Sequence, residues 1–332
     1  MFVKANTLAS ESSASIADEF KPKSAGGFFT TFMGGPDGAA PGRLVEYDAN
    51  SDFVAAWPTV LPTDGFNPHG IALDEAHNLL LTSDFICPLH TLNLGAGVQG
   101  SVQLRGSVRV WDLARRSITK TITVGDPNNP PGTINVELIP HDRRLRAFVS
   151  GVNDGKLYLV DPQAGTAQPV VDFNSFALPD APAPWPHLFR INTAGTRLAI
   201  TLNYQGLDGK VVWLDIVRPD SPKILNFVEL GKGSGPHYLT FSPNEDRVVV
   251  SDYFLVEDLI PSGVVGIGGD HKVHVLDVVD DRLVEDPTFN LDFNRDVATG
   301  PARPHGLVIV RRNGRLDRHD VPQPPQANGG PQ

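Results

Sequence analysis

One cysteine, Cys87, stands in a chain of 332 residues, so no internal disulfide can form and an oxidising compartment gains no support. Positive charge is scarce: 28 Lys and Arg against 38 Asp and Glu give a formal net charge of −10, which argues against nucleic acid or an anionic membrane as partner. No apolar run approaches the roughly 20 residues that a membrane-spanning helix needs. The opening MFVKANTLASESSASIADEF lacks the basic start and apolar stretch of a signal peptide, so a cytoplasmic location is expected. What the chain does have is turn-formers, 32 Gly and 29 Pro, scattered between short apolar runs. That distribution reads as many turns in a folded protein rather than as a disordered tract. Residues 1–24 (Ser-rich) and 313–332 (Pro- and Gly-rich) read as tails around a single domain, 25–312.

A strand-length pattern ending in Asp recurs along that domain: RLVEYD at 43–48, SVRVWD at 107–112, KLYLVD at 156–161, KVVWLD at 210–215 and KVHVLD at 272–277. Their alternation of β-branched or aromatic with polar residues fits half-buried strands. Two further strands precede each copy except the first, and a short one follows. Such a unit of four strands, repeated five times, predicts an all-β, five-bladed β-propeller with four-stranded blades. The first unit lacks an inner strand, whereas PHGLVIV at 304–310 is an inner strand with no followers. The C-terminal strand is therefore expected to join the N-terminal blade and close the ring, removing two open sheet edges. A β-sandwich or two small β domains fits less well, since no linker-like stretch divides the chain.

The inner strands begin Pro68-His69, Val136-Glu137, Pro186-His187, Pro236-His237 and Pro304-His305. In the first four, a polar turn residue (Asp74, Asp142, Asn192, Ser242) lies five positions on, which aligns the heads. Inner strands line the channel of a propeller, so His69, His187, His237 and His305 are expected to converge on one axis with Glu137. A single histidine at such a place is commonly a hydrogen-bonded core residue. Four of the ten histidines at one position of the repeat point instead to a metal. Neutral imidazoles each offer one lone pair and give their other N–H to a neighbouring acceptor. The donor set suits iron, copper, zinc, manganese or nickel and not calcium or magnesium. The absence of thiolates favours one redox metal ion, copper or iron. Glu137 is the candidate catalytic residue, as a fifth ligand, as an acceptor orienting a histidine, or as a general base.

Two connections are long, 86–106 and 254–271, and carry apolar residues among glycines, as binding loops do. A substrate pocket above the metal is expected from Phe66, Cys87, His90, Trp185 and Phe254. Asp84 and Asp252, which end equivalent second strands, are expected to hold loop backbone or ligand histidines, in structural roles. His77, His141, His274 and His319 are expected in surface or packing roles.

Several of these stretches resemble the selenium-binding protein and methanethiol oxidase family. They are HNLLLTSDFICP, GSVRVWDLARRSITKTITV, INVELIPH, DSPKILNFVELG, GPHYLTFSPNEDRVVVSDYF and the closing DPTFNLDFN with GPARPHGL. The similarity is collinear from about residue 25 to 310. It implies a β-propeller and, for the methanethiol oxidases, copper-dependent oxidation of a small thiol with dioxygen. The family's N-terminal Cys-x-x-Cys segment, tied to selenium binding, has no counterpart here, so the resemblance implies a short, N-terminally reduced member without that property. Several relatives lack histidine at most inner-strand heads, which leaves the thiol chemistry open. A four-histidine ring on a propeller is also similar, in geometry alone, to the iron site of carotenoid- and stilbene-cleaving oxygenases. The function expected is a metal-dependent oxidoreductase that acts with dioxygen on a small neutral or apolar molecule. The alternatives are a non-redox metal lyase, isomerase or hydrolase, and an interaction propeller with a structural metal.

Overall fold

The computed structural model describes residues 13–91, 102–177, 183–203, 208–253, 269–298 and 300–309, without the side chains of residues 90 and 91. The alternating runs form five antiparallel sheets, each with its strands adjacent in chain order. The first holds β1 (Ser15–Pro22), β2 (Phe28–Gly34), β3 (Arg43–Tyr47) and β4 (Phe53–Trp57). The second holds β5 (Pro68–Asp74), β6 (Leu79–Ile86), β7 (Leu104–Asp112) and β8 (Ser117–Thr123). The third holds β9 (Thr133–Leu138), β10 (Ala147–Gly151), β11 (Lys156–Asp161) and β12 (Thr166–Asp172). The fourth holds β13 (Trp185–Ile191), β14 (Arg197–Asn203), β15 (Lys210–Asp215) and β16 (Lys223–Glu229). The fifth holds β17 (Pro236–Phe241), β18 (Arg247–Asp252), β19 (Lys272–Val279) and β20 (Arg282–Glu285), and β21 (Leu291–Asp292) also pairs with β19.

Apolar side chains from facing sheets interlock to make the core. Val108, Val136, Val149 and Tyr158 join the second and third sheets. Phe148, Leu159, Phe189 and Ile200 join the third and fourth, and Trp213, Leu239, Val250 and Leu276 the fourth and fifth. Phe29, Phe66, Ile71 and Trp111 join the first and second. Middle strands are thus covered on both faces, which is why β6, β10 and β14 read as nearly unbroken apolar runs. The first strands of successive sheets pack side by side, β1 on β5, β5 on β9, β9 on β13 and β13 on β17.

The first sheet departs from expectation. Its inner strand is β1, SIADEFKP, in register Ala17↔Phe32 through Pro22↔Phe28, so residues 15–22 are not tail and 304–309, the described part of the expected closing strand, does not take that place. Asp18, Glu19 and Lys21 break the apolar pattern by which a strand is recognised, because this strand faces a polar axis. Residues 301–309 form no ladder, yet they reach the axis: Ser251 Oγ donates to the His305 carbonyl at 2.9 Å. Residues 1–12 of the expected N-terminal tail, the expected C-terminal tail 313–332 and residues 310–312 lie outside the described residues. Among the described residues no helix is long and apolar enough to cross a membrane.

Candidate functional site

Each inner strand carries a β-bulge at the same register. Three steps on the inner strand match two on its partner between Ala17 and Phe20, Pro68 and Ile71, Thr133 and Val136, and Pro186 and Phe189; the fifth slips between Pro236 and Tyr238. A bulge bends a strand and re-aims one side chain. The re-aimed residues follow the paired one directly and are Asp18, His69, Ile134, His187 and His237.

A second repeat fixes the same positions. A hydroxyl on each second strand donates to the carbonyl of the next sheet's re-aimed residue: Thr31 to His69, Ser83 to Ile134, Ser150 to His187 and Thr201 to His237, over 2.5–3.2 Å. Ser251 does the same to His305, which thereby takes a sixth place between β17 and β1. Substituting Ser150 by Ala removes this hydrogen bond to the buried His187 carbonyl and is expected to cost ~0.5–1.5 kcal/mol of unfolding free energy, read by urea denaturation.

The alignment of Glu137 with the histidines is therefore corrected. Ile134 holds that position, and Glu137 lies three residues beyond it. Ile139 N bonds Arg146 O as Asn192 N bonds Arg197 O and Ser242 N bonds Arg247 O, so Ile139, directly after β9, is the true counterpart of Asn192 and Ser242. Asp142 opens a tighter turn inside a wider loop, and as an anchor it displaces the alignment by three residues.

His69, His187 and His237 are buried, and His305 is exposed. His187 Nδ1 lies 3.0 Å from His237 Nδ1, and the His305 ring is 4.7 Å, centroid to centroid, from that of His237. Burial, followed by repulsion from His69 and His305, pushes His187 down to about 3; burial and the neighbouring imidazoles carry His237 well below its ordinary value as well. Both rings are neutral at physiological pH, so one nitrogen of the close pair donates and the other accepts. His69 behaves differently. Burial opposes its charge, but Asp18, 3.1 Å from its Nε2, outweighs burial and raises it, while Asp18 itself is held low.

The donor set fits a transition-metal ion on two observations. Burial selects against protons on His187 and His237, and a metal requires its imidazole ligands unprotonated. His69 Nε2 is engaged by Asp18 while Nδ1 is buried without a hydrogen-bond partner, the arrangement of a carboxylate-oriented histidine ligand. As the rings stand, no three axial donor atoms lie within 4.8 Å of one another; the described group that meets this measure is Asp252, Asp270 and His274.

A cavity of about 520 Å³ starts at His69, His237 and His305 and runs along the inner strands past the heads. Its polar wall is built on Arg190, which donates to Glu137 Oε1 at 2.6 Å and to Tyr238 Oη at 2.8 Å and lies 3.5 Å from Glu19. Glu137 Oε2 accepts from Ile191 N at 3.0 Å, so both its oxygens are occupied and it orients Arg190 rather than a histidine. Leu188 and Leu307 supply apolar wall.

Of the expected pocket residues, Phe66, Cys87 and Trp185 do not line this cavity. Phe66 is core, 5.8 Å from the Trp111 ring, and Cys87 is buried. Trp185 reaches the site from behind, stacked on His187 at 6.2 Å. The His90 side chain, Phe254 and most of the two long loops lie outside the described residues. Asp84 and Asp252 hold loop backbone, as expected: they accept from Asn67 N and from Gly235 N and Asp270 N.

No family model and no curated protein sequence matches the chain. Solved structures do. A hypothetical selenium-binding protein from Sulfolobus tokodaii has a TM-score of 0.71 at 20% identity, over 89% of this chain and 69% of that one. The Cps50 (Swd1) β-propeller domain of Myceliophteria thermophila has a TM-score of 0.51 at 12% identity, over 84% and 71%. The periplasmic gluconolactonase of Pseudomonas aeruginosa has a TM-score of 0.51 at 15% identity, over 83% and 67%. At these identities the likeness is one of fold, a β-propeller.

Proposed function

We propose that the chain is a five-bladed propeller enzyme, a metal-dependent oxidoreductase with His69, His187, His237 and His305 as ligands. The ring is closed at the axis by the segment around His305. The observation carrying this reading is that bulge and hydroxyl repeats aim four imidazoles and Asp18 at one axis, where burial keeps His187 and His237 neutral. When bound, copper or iron supplies one-electron chemistry with dioxygen.

The chain's own residues prepare the site. Asp18 orients His69. Arg190, fixed by Glu137, donates to Tyr238 Oη, which leaves the phenol proton for an oxygen or sulfur atom of a small substrate. The apolar walls exclude water and suit a small neutral or apolar molecule. Thiol oxidation, as in methanethiol oxidases, and oxygen insertion into an alkene are the two reactions to separate.

Elemental analysis of purified protein is expected to show iron or copper, with one equivalent fewer after each of His69→Ala, His187→Ala, His237→Ala and His305→Ala. Unchanged metal content across all four sinks the proposal. Oxygen consumption with methanethiol, against a styrene-like or phenolic alkene, then chooses the chemistry. The second reading is metal-assisted hydrolysis, favoured by the paired donors Arg190 and Tyr238, which suit a developing oxyanion. Turnover retained without oxygen would select it.

A further inference from the structure

The fifth sheet carries an ionic cluster that the axial site does not use. Asp252 ends β18, Asp270 precedes β19, and His274 sits within β19. His274 Nε2 lies 3.4 Å from Asp270 Oδ1 and 3.7 Å from Asp252 Oδ2. We propose that these three residues bind a second divalent cation, of the zinc or manganese class, independent of the axial histidines.

Each ligand is anchored by neighbouring groups and keeps a lone pair turned to a common point. Asp252 Oδ1 accepts from Gly235 N at 2.7 Å and Asp270 N at 2.9 Å, while Oδ2 is buried with no hydrogen-bond partner. Asp270 Oδ2 is held by Lys272 Nζ at 2.7 Å, and Oδ1 accepts from Lys272 N at 3.0 Å while its second lone pair faces His274 Nε2. His274 Nδ1 is held by Glu285 Oε1 at 3.0 Å, leaving Nε2. A carboxylate on the far nitrogen is what orients a metal-binding histidine. Bonds of about 2.0–2.2 Å in a tetrahedron place ligand atoms roughly 3.3–3.6 Å apart, close to the separations seen.

The second sheet shows what is missing here. Asp84 is the counterpart of Asp252, since Thr82 pairs with Arg109 where Val250 pairs with His274. There the buried carboxylate has a permanent cation: Arg109 Nε donates to Asp84 Oδ2 at 2.6 Å. In the fifth sheet histidine replaces that arginine and a further carboxylate, Asp270, has been added. A proton on His274 would bridge the two carboxylates only over distances longer than the roughly 2.7–2.9 Å of charge-assisted hydrogen bonds. A divalent ion satisfies all three atoms and fastens both ends of the β18–β19 connection.

The test is titration of the full chain with Zn²⁺ alone, by calorimetry and by thermal unfolding, in a His187→Ala/His237→Ala background that disables the axis. One Zn²⁺ equivalent and a raised melting temperature are expected. His274→Arg, which copies the second sheet and gives Asp252 a fixed cation, should fold with unchanged metal-free melting temperature and lose both responses. Glu285→Gln should weaken Zn²⁺ by about 10–100-fold. Zn²⁺ binding that is absent in the axial-variant background, or undiminished by His274→Arg, would overturn the site without touching the axial proposal.

Discussion

Replacing Arg109 with methionine is expected to lower the unfolding free energy by ~3–5 kcal/mol, the effect of breaking a buried ion pair from one side. Arg109 is 2% exposed and its partner Asp84 is fully buried. The guanidinium also donates to Asp64 at 2.7 Å and Thr121 at 2.8 Å, and lies over the Phe66 ring. Methionine fills much of the same volume, so the loss isolates charge from packing. Burial already pushes the Asp84 carboxyl up with Arg109 beside it, and without the arginine its charge loses its cation. Adding Asp84→Asn to Arg109→Met should therefore recover stability, because a neutral amide remains beside the Asn67 amide and the Ser107 hydroxyl. Urea denaturation of the two single variants and the pair closes the cycle. A loss under about 1 kcal/mol would mean that Asp84 is already protonated in the native chain.

The same contrast explains what the sequence could and could not reveal. The Asp-ending strands were legible because β3, β7, β11, β15 and β19 are covered on both faces and keep the β-branched and aromatic residues that packing requires. The Pro-His heads were legible because three inner strands repeat that dipeptide and the C-terminal segment repeats it again. The strand β1 was hidden since its side chains serve the axis: Asp18 engages His69, and Glu19 accepts from Ile71 N at 3.0 Å. Those contacts require charge where strand patterns require apolar residues. The displacement of Glu137 came from a wide loop whose tightest turn lies three residues past Ile139.

His274 reads in sequence as one alternating position of a strand. Its meaning comes from two carboxylates 22 and 4 positions away that only the β18–β19 pairing brings to it. The signal that would have found it is the comparison of TSDF with VSDYF, followed by asking which residue answers each buried Asp. One sheet answers with Arg109 and the other with His274.

Arg190→Met is the second large loss expected, and its size should depend on pH. Glu137, Glu19 and Tyr238 surround the guanidinium, and the two carboxylates are the charges it balances. Burial raises the Glu19 carboxyl above its ordinary value even though Arg190 opposes that rise. A carboxyl whose folded value exceeds the unfolded one stabilises the fold most while protonated, and that contribution fades as pH climbs from the unfolded value through the folded one. Removing Arg190 lifts the folded value of Glu19 further, since the arginine is the largest of the influences that oppose burial there. The variant should therefore lose ~3–5 kcal/mol at pH 7.5 and recover part of that toward pH 5. Arg190→Lys, which keeps the charge without the planar fork, should fall between the native chain and Arg190→Met. Urea unfolding at both pH values decides it. An equal deficit at pH 7.5 and pH 5 would show that water in the cavity, rather than Arg190, solvates the two carboxylates, and the proposed polar wall would lose its organising residue.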